Sequence, residues 1–213
     1  MNECVSESKR QLPIYVVDDD PDVRYALGLL LGLRGHAVAL FECAEDFLSR
    51  ITPDTAGCLI TDIRMPGMTG LELQRALAGR EVGIAVIVLT AHGDVDSARA
   101  ALRAHAVDFL TKPFKEPDLS AAIEVAFERE RARLDLLESR IADRAAIATL
   151  TAREREVAAL LATGAQNLAI AQQLGISTRT VEIHKARCME KLKARTLADL
   201  VRLADRAGLR APT

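Results

Sequence analysis

Residues 14–21 read Ile14-Tyr15-Val16-Val17-Asp18-Asp19-Asp20-Pro21, and this stretch decides the reading of the first half of the chain. Four large apolar residues without polar alternation fit a strand buried on both faces of a parallel sheet. Asp20-Pro21 then supplies an N-cap and a first-turn proline for a helix to about Leu33. Four further runs share the apolar pattern: Ala37–Phe41, Cys58–Thr61, Ala85–Leu89 and Val107–Leu110. Thr69-x-x-Glu72 is a capping box that opens a helix over Gly70 to Leu77. Five strands alternating with helices predict a doubly wound α/β domain on a five-stranded parallel sheet.

Such a sheet carries its site beyond the carboxyl ends of the strands, where the strand order reverses. Asp18 and Asp19 follow the first strand, and Asp62 follows the third run. If the strand order is 2-1-3-4-5, those strands are neighbours and the three carboxylates converge. Thr90 closes the fourth strand and Lys112 the fifth, which places a hydroxyl and an ammonium on the same rim. Clustered carboxylates repel one another, and a hard divalent cation is the usual remedy; Mg²⁺ suits few carboxylates and can bridge to a phosphoryl oxygen. A carboxylate in that setting can attack phosphorus and form an aspartyl-phosphate. No Gly-rich phosphate loop of Walker type is present, so a nucleotide is not the implied donor. Taken singly, each residue has a plainer reading: Asp20 is sufficiently explained as a helix cap, and a lone Asp or a Lys-Pro is usually loop. Their joint occurrence in the right order points to chemistry.

Beyond Pro117 no strand signal returns. Residues 118–147 read as one long helix without glycine or proline, with an apolar stripe of Leu119, Ile123, Phe127, Leu134, Leu137 and Ile141. The charged run Glu128-Arg129-Glu130-Arg131 interrupts it and is expected to be a solvated face. A coiled-coil-like pairing with a second copy is the sharper alternative, on a stripe too short to be diagnostic. A second capping box, Thr151-x-x-Glu154, opens four short helices: to about Leu161, over Leu168–Leu174, from Thr178 to about Lys193, and from Leu197 to about Ala207. Gly175-Ile176-Ser177 forms the tight turn before the third, a helix-turn-helix arrangement with Ser177 as N-cap. The helical period buries Val181, Cys188 and Leu192. It turns Arg179, Ile183, Ala186 and Glu190 outward, with Glu182 and Arg187 beside them and His184 and Lys185 on the margins.

Charge divides along the same line. The formal net charge is only -2, but residues 1–116 carry 12 Lys+Arg against 17 Asp+Glu, whereas residues 150–213 carry 11 against 6. A cation site in front and a polyanion partner behind account for that asymmetry. No apolar run approaches the roughly 20 residues of a membrane helix, and the first dozen residues lack the apolar stretch of a signal peptide, so a cytoplasmic protein is expected. Cys4, Cys43, Cys58 and Cys188 are scattered and expected to be reduced thiols.

The set Asp18-Asp19, Asp62-x-x-Met65-Pro66-Gly67, Thr90-Ala91-His92-Gly93 and Lys112-Pro113-Phe114 resembles the receiver domain of two-component response regulators, over residues 12–127. The resemblance implies that Asp62 is the phosphoacceptor. Asp18, Asp19, Asp62 and the main-chain carbonyl of Arg64 then hold Mg²⁺, and Thr90 and Lys112 contact the phosphoryl group. Phe109 stands at the place of the family's switch aromatic, paired in that role with Thr90. The continuation His92-Gly93-Asp94 is similar to the FixJ-like branch, and His92 lies where it can influence the lifetime of the phosphoryl group. Lys-Pro beside a phosphate site leads us to expect a cis bond between Lys112 and Pro113. The rival is a phosphatase of the haloacid dehalogenase type, with Asp18 and Asp20 as its Asp-x-Asp. That enzyme needs an acidic pair after its lysine, which this sequence lacks, and it leaves Asp62 idle.

Leu150-Thr151-x-Arg153-Glu154-x-Glu156-Val157, Ile170-Ala171-x-x-Leu174-x-Ile176-Ser177 and Thr180-Val181-Glu182-x-His184 resemble the LuxR-type DNA-binding domain over residues 148–207, in a domain expected at 148–211 beyond a helical linker at 128–147. Ser177, Arg179, Thr180, Glu182, Ile183, His184, Lys185, Ala186, Arg187 and Lys191 are then the candidate DNA contacts. Outward residues near the start of the helix would reach base edges, and Lys185, Arg187 and Lys191 the phosphates. The loop Gly164-Ala165-Gln166-Asn167-Leu168 lacks the lysines common there, which removes possible phosphate contacts. The expected whole is a FixJ-like (NarL/FixJ family) transcriptional regulator and not an enzyme. Its implied partners are a sensor histidine kinase, promoter DNA, RNA polymerase and, on phosphorylation, a second copy as homodimer through the last strand and the helix near Val95–Ala104.

Overall fold

A computed structural model describes residues 11–80, 82–91 and 106–211. Its first unit ends at Arg133 and is built on five parallel strands: β1 (Ile14–Val17), β2 (Val38–Phe41), β3 (Cys58–Asp62), β4 (Ala85–Thr90) and β5 (Asp108–Thr111). They stand in the order β2-β1-β3-β4-β5. Ile14 is in register with Val38 on one side and Cys58 on the other, so the chain reverses direction across the sheet between β1 and β3. Every residue of β3 and β4 is buried. The outer strands β2 and β5 are mostly half-exposed, although continuous apolar runs had led to an expectation of burial on both faces. They are edges, each paired on one side only, and the apolar run alone does not tell an edge from a centre.

Helix α1 (Pro21–Leu33) starts where the sequence places it, with the Asp20 carboxylate accepting from the N–H groups of Asp22 and Val23. Helix α3 (Gly70–Gly79) opens on the Thr69–Glu72 capping box, both halves of which form. Helix α2 (Ala44–Arg50) carries no sequence signature: it has seven residues, and its N-cap Cys43 makes no side-chain cap bond. Its Phe47 is nevertheless central to the core, edge-on to Phe41 at 5.2 Å between ring centroids and packed with Val17, Leu59, Leu73 and Val88.

Helix α4 (Glu116–Ala148) is continuous through the expected linker at 128–147. Its Leu119, Ile123 and Phe127 are buried, but further along the same stripe Leu137 and Ile141 are exposed. The run Glu128–Arg131 corrects an expectation. It is not simply a solvated face, because Glu130 is 1% exposed. Its carboxylate accepts the Gly57 N–H at 3.2 Å and two hydrogen bonds from Arg133, at 2.8 and 2.7 Å. A buried carboxylate persists when its oxygens are satisfied in this way, and the partner at Gly57 is 73 residues distant, out of reach of any local pattern.

The second unit begins at Leu134 and adds α5 (Ala152–Ala162), α6 (Asn167–Leu174), α7 (Thr178–Lys191) and α8 (Leu197–Ala207). These match the four expected helices to within two residues at each end. Val157, Leu161, Ile170, Val181, Cys188 and Leu200 form its core, closed on one side by Ile147 and Leu150. Gly175 ends α6 in the left-handed conformation that the tight turn requires. Arg206 on α8 reaches Asp143 at 2.6 Å. Cys43, Cys58 and Cys188 are free thiols; Cys4, His92, His105 and the expected helix near Val95–Ala104 lie outside the described residues. No helix among the described residues is long and apolar enough to cross a membrane.

Glu154 is the more deeply buried of two buried acids described in this unit, 3% exposed against 9% for Asp143. It closes the α5 capping box and also meets Lys191, the last residue of α7, at 2.6 Å. The Lys191 ammonium first, then the Thr151 N–H, hold its carboxyl down to about 2. A depressed folded-state pKa gives stability that is present above the group's ordinary titration near 4.5 and lost as pH falls toward 2. We therefore expect the denaturation midpoint of the wild type to drop between pH 5 and pH 2.5 more than that of Glu154→Gln. Chemical denaturation of the full chain at a series of pH values, followed by helix signal, checks it.

Candidate functional site

The carboxyl ends of β1 and β3 meet at the reversal of strand order, and there the sequence puts its acids. Asp18 follows β1 and Asp62 is the last residue of β3. With Asp19 they offer three carboxylate oxygens that all lie within 4.8 Å of one another. Asp18 is 1% and Asp62 9% exposed, while Asp19 is open to solvent. Local hydrogen bonds aim the two buried groups: Asp18 Oδ1 accepts the Asp20 N–H at 3.0 Å, and Asp62 Oδ1 accepts the Arg64 N–H at 3.2 Å. Helix α3 starts against the Asp62 carbonyl so closely that a Cβ on Gly70 would lie 2.1 Å from that oxygen. Only glycine permits the approach.

Lys112, one residue past β5, brings the fifth strand to the site. Its Nζ donates to Asp18 Oδ2 at 2.6 Å and to Asp62 Oδ2 at 2.7 Å. The Lys112–Pro113 bond is cis, and the Lys112 N–H donates to the Thr90 carbonyl at 2.6 Å. Burial works against the ammonium's charge, but the hydrogen bonds to Asp18 and Asp62 outweigh it and hold the Lys112 pKa above its ordinary value. Burial raises the Asp18 carboxyl, and the Lys112 hydrogen bond offsets part of that rise. Three carboxylates against one ammonium leave the cluster two charges negative, and the donors are all hard oxygens. The set therefore fits a hard divalent cation, which could be held by Asp18, Asp19 and Asp62.

Thr90 closes β4, 2% exposed, beside the neighbouring pair Asp62 and Leu89. Phe109 on β5 is in register with Val88 and packs half-buried against the core of the first unit. The sheet thus brings Asp18, Asp19, Asp62, Thr90 and Lys112 to one rim, with Phe109 two residues down the outer strand from Thr111. Arg24 is a neighbour that the sequence did not single out: its Nη1 donates to the Asp18 carbonyl at 2.6 Å. Its signal is position alone, one turn into the helix that Asp20 caps. Asp20 itself caps that helix through Oδ1, as its plainer reading expects.

In the second unit, α7 presents a mixed polar face. Arg179, Glu182, Ile183, Ala186, Arg187 and Glu190 are exposed, and His184 and Lys185 are half-buried, with His184 Nδ1 buried. Val181, Cys188 and Leu192 face inward. Ser177 caps the helix through the Thr180 N–H at 3.1 Å, and the two hydroxyls are 2.8 Å apart. Lys191, a candidate phosphate contact by sequence, pairs with Glu154 while its side chain stays partly exposed. That partner lies 37 residues back, so periodicity had no means of revealing it.

Comparison with known proteins agrees with both halves. The family described as the response regulator receiver domain matches residues 14–124. The LuxR family of bacterial regulatory proteins matches residues 148–204. The transcriptional regulatory protein FixJ of Azorhizobium caulinodans is 44% identical over 200 residues, 93% of this chain and 94% of its own length. Among solved structures, the response regulator StyR covers 92% of this chain and 99% of its own at 40% identity, with a TM-score of 0.77. Full-length FixJ from B. japonicum covers 93% and 98% at 38% identity, with a TM-score of 0.56. None of these relatives supports the phosphatase alternative. With a receiver sheet, its acidic rim and a LuxR-type helix-turn-helix in one chain, this protein belongs to the DNA-binding response regulators of two-component systems, in the FixJ-like branch.

Proposed function

We propose that a sensor histidine kinase passes a phosphoryl group to Asp62 and that the charge so gained controls binding of the second unit to promoter DNA. The observation that carries this reading is the Lys112 ammonium held between Asp18 and Asp62. In the transfer, a carboxylate oxygen of Asp62 attacks phosphorus while the bond from phosphorus to the donor imidazole breaks, its electron pair going to the ring nitrogen. Mg²⁺, held by Asp18, Asp19, Asp62 and the Arg64 carbonyl, would neutralise the charge that gathers on the phosphoryl oxygens. Lys112 then offsets charge on the product, and the Thr90 hydroxyl donates to it. The phosphoryl group is received and later lost to water, so the chain acts as a switch and not as a turnover enzyme. A cytoplasmic location and contact with RNA polymerase follow from the same role.

The output follows from α7. Its first turns, with Arg179, Glu182, Ile183 and Ala186 outward, enter the major groove, and Lys185 and Arg187 take the phosphates. A lone domain of this size makes few contacts, so two copies on a two-fold site give useful affinity by effective concentration. We assign the coupling to Thr90 and Phe109: when Thr90 moves toward the phosphoryl group, Phe109 fills the space it leaves, and the face built on β5 changes. The helix expected near Val95–Ala104 that would complete this dimer face lies outside the described residues.

Acetyl phosphate with Mg²⁺ is expected to label the wild type. Asp62→Asn and Asp19→Ala should stay unlabelled, the second through loss of the metal, and chelation by EDTA should abolish labelling of the wild type. One acid-labile phosphoryl group per chain on Asp62→Asn would defeat the assignment. On DNA, Lys185→Ala should weaken specific and random sequences alike and lower the salt slope by about 1. Ile183→Ala or Glu182→Ala should instead change the ranking of sites by about 1–3 kcal/mol per affected base pair, read by competition binding. Sedimentation should find monomer without phosphodonor and dimer with it, and Thr90→Ala phosphorylated yet largely monomeric. Tight operator binding by a phosphorylated monomer would replace dimerisation with release of an intramolecular block.

A further inference from the structure

The loop between β3 and α3 runs from Ile63 to Thr69 and carries the Arg64 carbonyl. Its two ends are fixed by backbone: Ile63 N–H donates to the Leu89 carbonyl at 3.0 Å, and Gly70 N–H donates back to the Ile63 carbonyl at 3.0 Å. The Met65 side chain is buried in the core. Across the middle of the loop lies Glu45, at the start of α2. Its Oε1 accepts the Met68 N–H at 3.0 Å, a contact 23 residues apart in sequence. Gly67 makes room for it. That residue has φ +75°, and a Cβ there would sit 3.0 Å from the same Glu45 oxygen. Glycine thus leaves open the space beside the loop that the carboxylate occupies.

We propose that Glu45 is a positioning residue for the phosphoacceptor site, strapping the β3–α3 loop so that the Arg64 carbonyl faces Asp18, Asp19 and Asp62. The proposal rests on the reading of that cluster as a Mg²⁺ and phosphoryl site. Glu45 itself touches none of the reacting groups. It acts on a main-chain carbonyl, which has no side chain of its own to steer it, so its direction depends on what holds the neighbouring peptides. The plainer role for Glu45 is an acid in the first turn of a short helix, favoured there by the helix dipole. Charge alone serves that role. The strap needs only a hydrogen-bond acceptor.

Glu45→Gln keeps an acceptor oxygen and removes the charge, whereas Glu45→Ala removes both. Three measurements on the full chain separate the roles: amide hydrogen exchange at Met68 without metal, Mg²⁺ affinity by calorimetry with the metal alone, and labelling by acetyl phosphate at saturating Mg²⁺. For Glu45→Ala we expect faster Met68 exchange and Mg²⁺ binding weakened about tenfold, the usual scale for losing a group that orients a ligand. Labelling at saturating Mg²⁺ should be largely restored. Glu45→Gln should stay within about twofold of the wild type in Mg²⁺ affinity, because a neutral acceptor replaces much of the bond. Unchanged Mg²⁺ affinity in Glu45→Ala, or Glu45→Gln as weak as Glu45→Ala, would overturn the proposal. Absence of Mg²⁺ binding by the wild type would overturn the reading of the cluster itself, and this proposal with it.

Discussion

The constraint on which the first unit depends is electrostatic. Three carboxylate oxygens gathered within 4.8 Å repel one another by on the order of 3 kcal/mol per charged pair at an effective dielectric of about 20. Such repulsion favours a counter-charge, and among the described residues Lys112 supplies one to Asp18 and Asp62. It arrives from the far end of the domain, 94 residues after Asp18, and its main-chain N–H is tied to Thr90. The strands β1, β3, β4 and β5 therefore share one electrostatic junction at their carboxyl ends. On the function proposed above, a cation or a phosphoryl group that changes the charge there would act through Lys112 and Thr90 on the strand that carries Phe109.

Rigidity at that junction comes from below it. β3 and β4 are buried along their whole length, so Asp62 and Thr90 stand on the least deformable part of the sheet. β5 is an edge and mostly half-exposed, so Phe109 sits on a strand less enclosed than the one that carries Asp62. Beyond the other ends of the strands, the buried Glu130 with Arg133 and the Gly57 N–H fastens α4 to the same sheet.

The second unit repeats the logic with one pair. Glu154 is both the closing residue of a capping box and the partner of Lys191, so the start of α5 and the end of α7 are joined by a single carboxylate. The exposed residues of α7 then project from a helix fixed at its N-terminus by Ser177 and at its C-terminus by Lys191. A helix that reads DNA needs that fixity, since contacts to base edges tolerate little misplacement. Lys191 is thus tied to Glu154 while 38% of its side chain stays open to solvent.

By itself the sequence determined the repeating signals: five apolar runs, the caps at Asp20, Thr69, Thr151 and Ser177, the turn at Gly175, and the inward set Val181, Cys188 and Leu192. All of these are local, governed by period, propensity and first-turn hydrogen bonds within a few residues. Motif order then named Asp18, Asp19, Asp62, Thr90 and Lys112 as one group, since that combination in that order rarely arises by structure alone. Tertiary structure decided what depends on distance along the chain: that the runs at β2 and β5 are only half-buried, that Glu130 is buried and not solvated, that Lys191 faces Glu154, and that Glu45 reaches Met68. Helix α2 also belongs here, being too short and too weakly capped to announce itself, and held by Phe47 in the core. In each case a side chain answers a backbone group or charge tens of residues away, and no local pattern encodes which distant group it will meet.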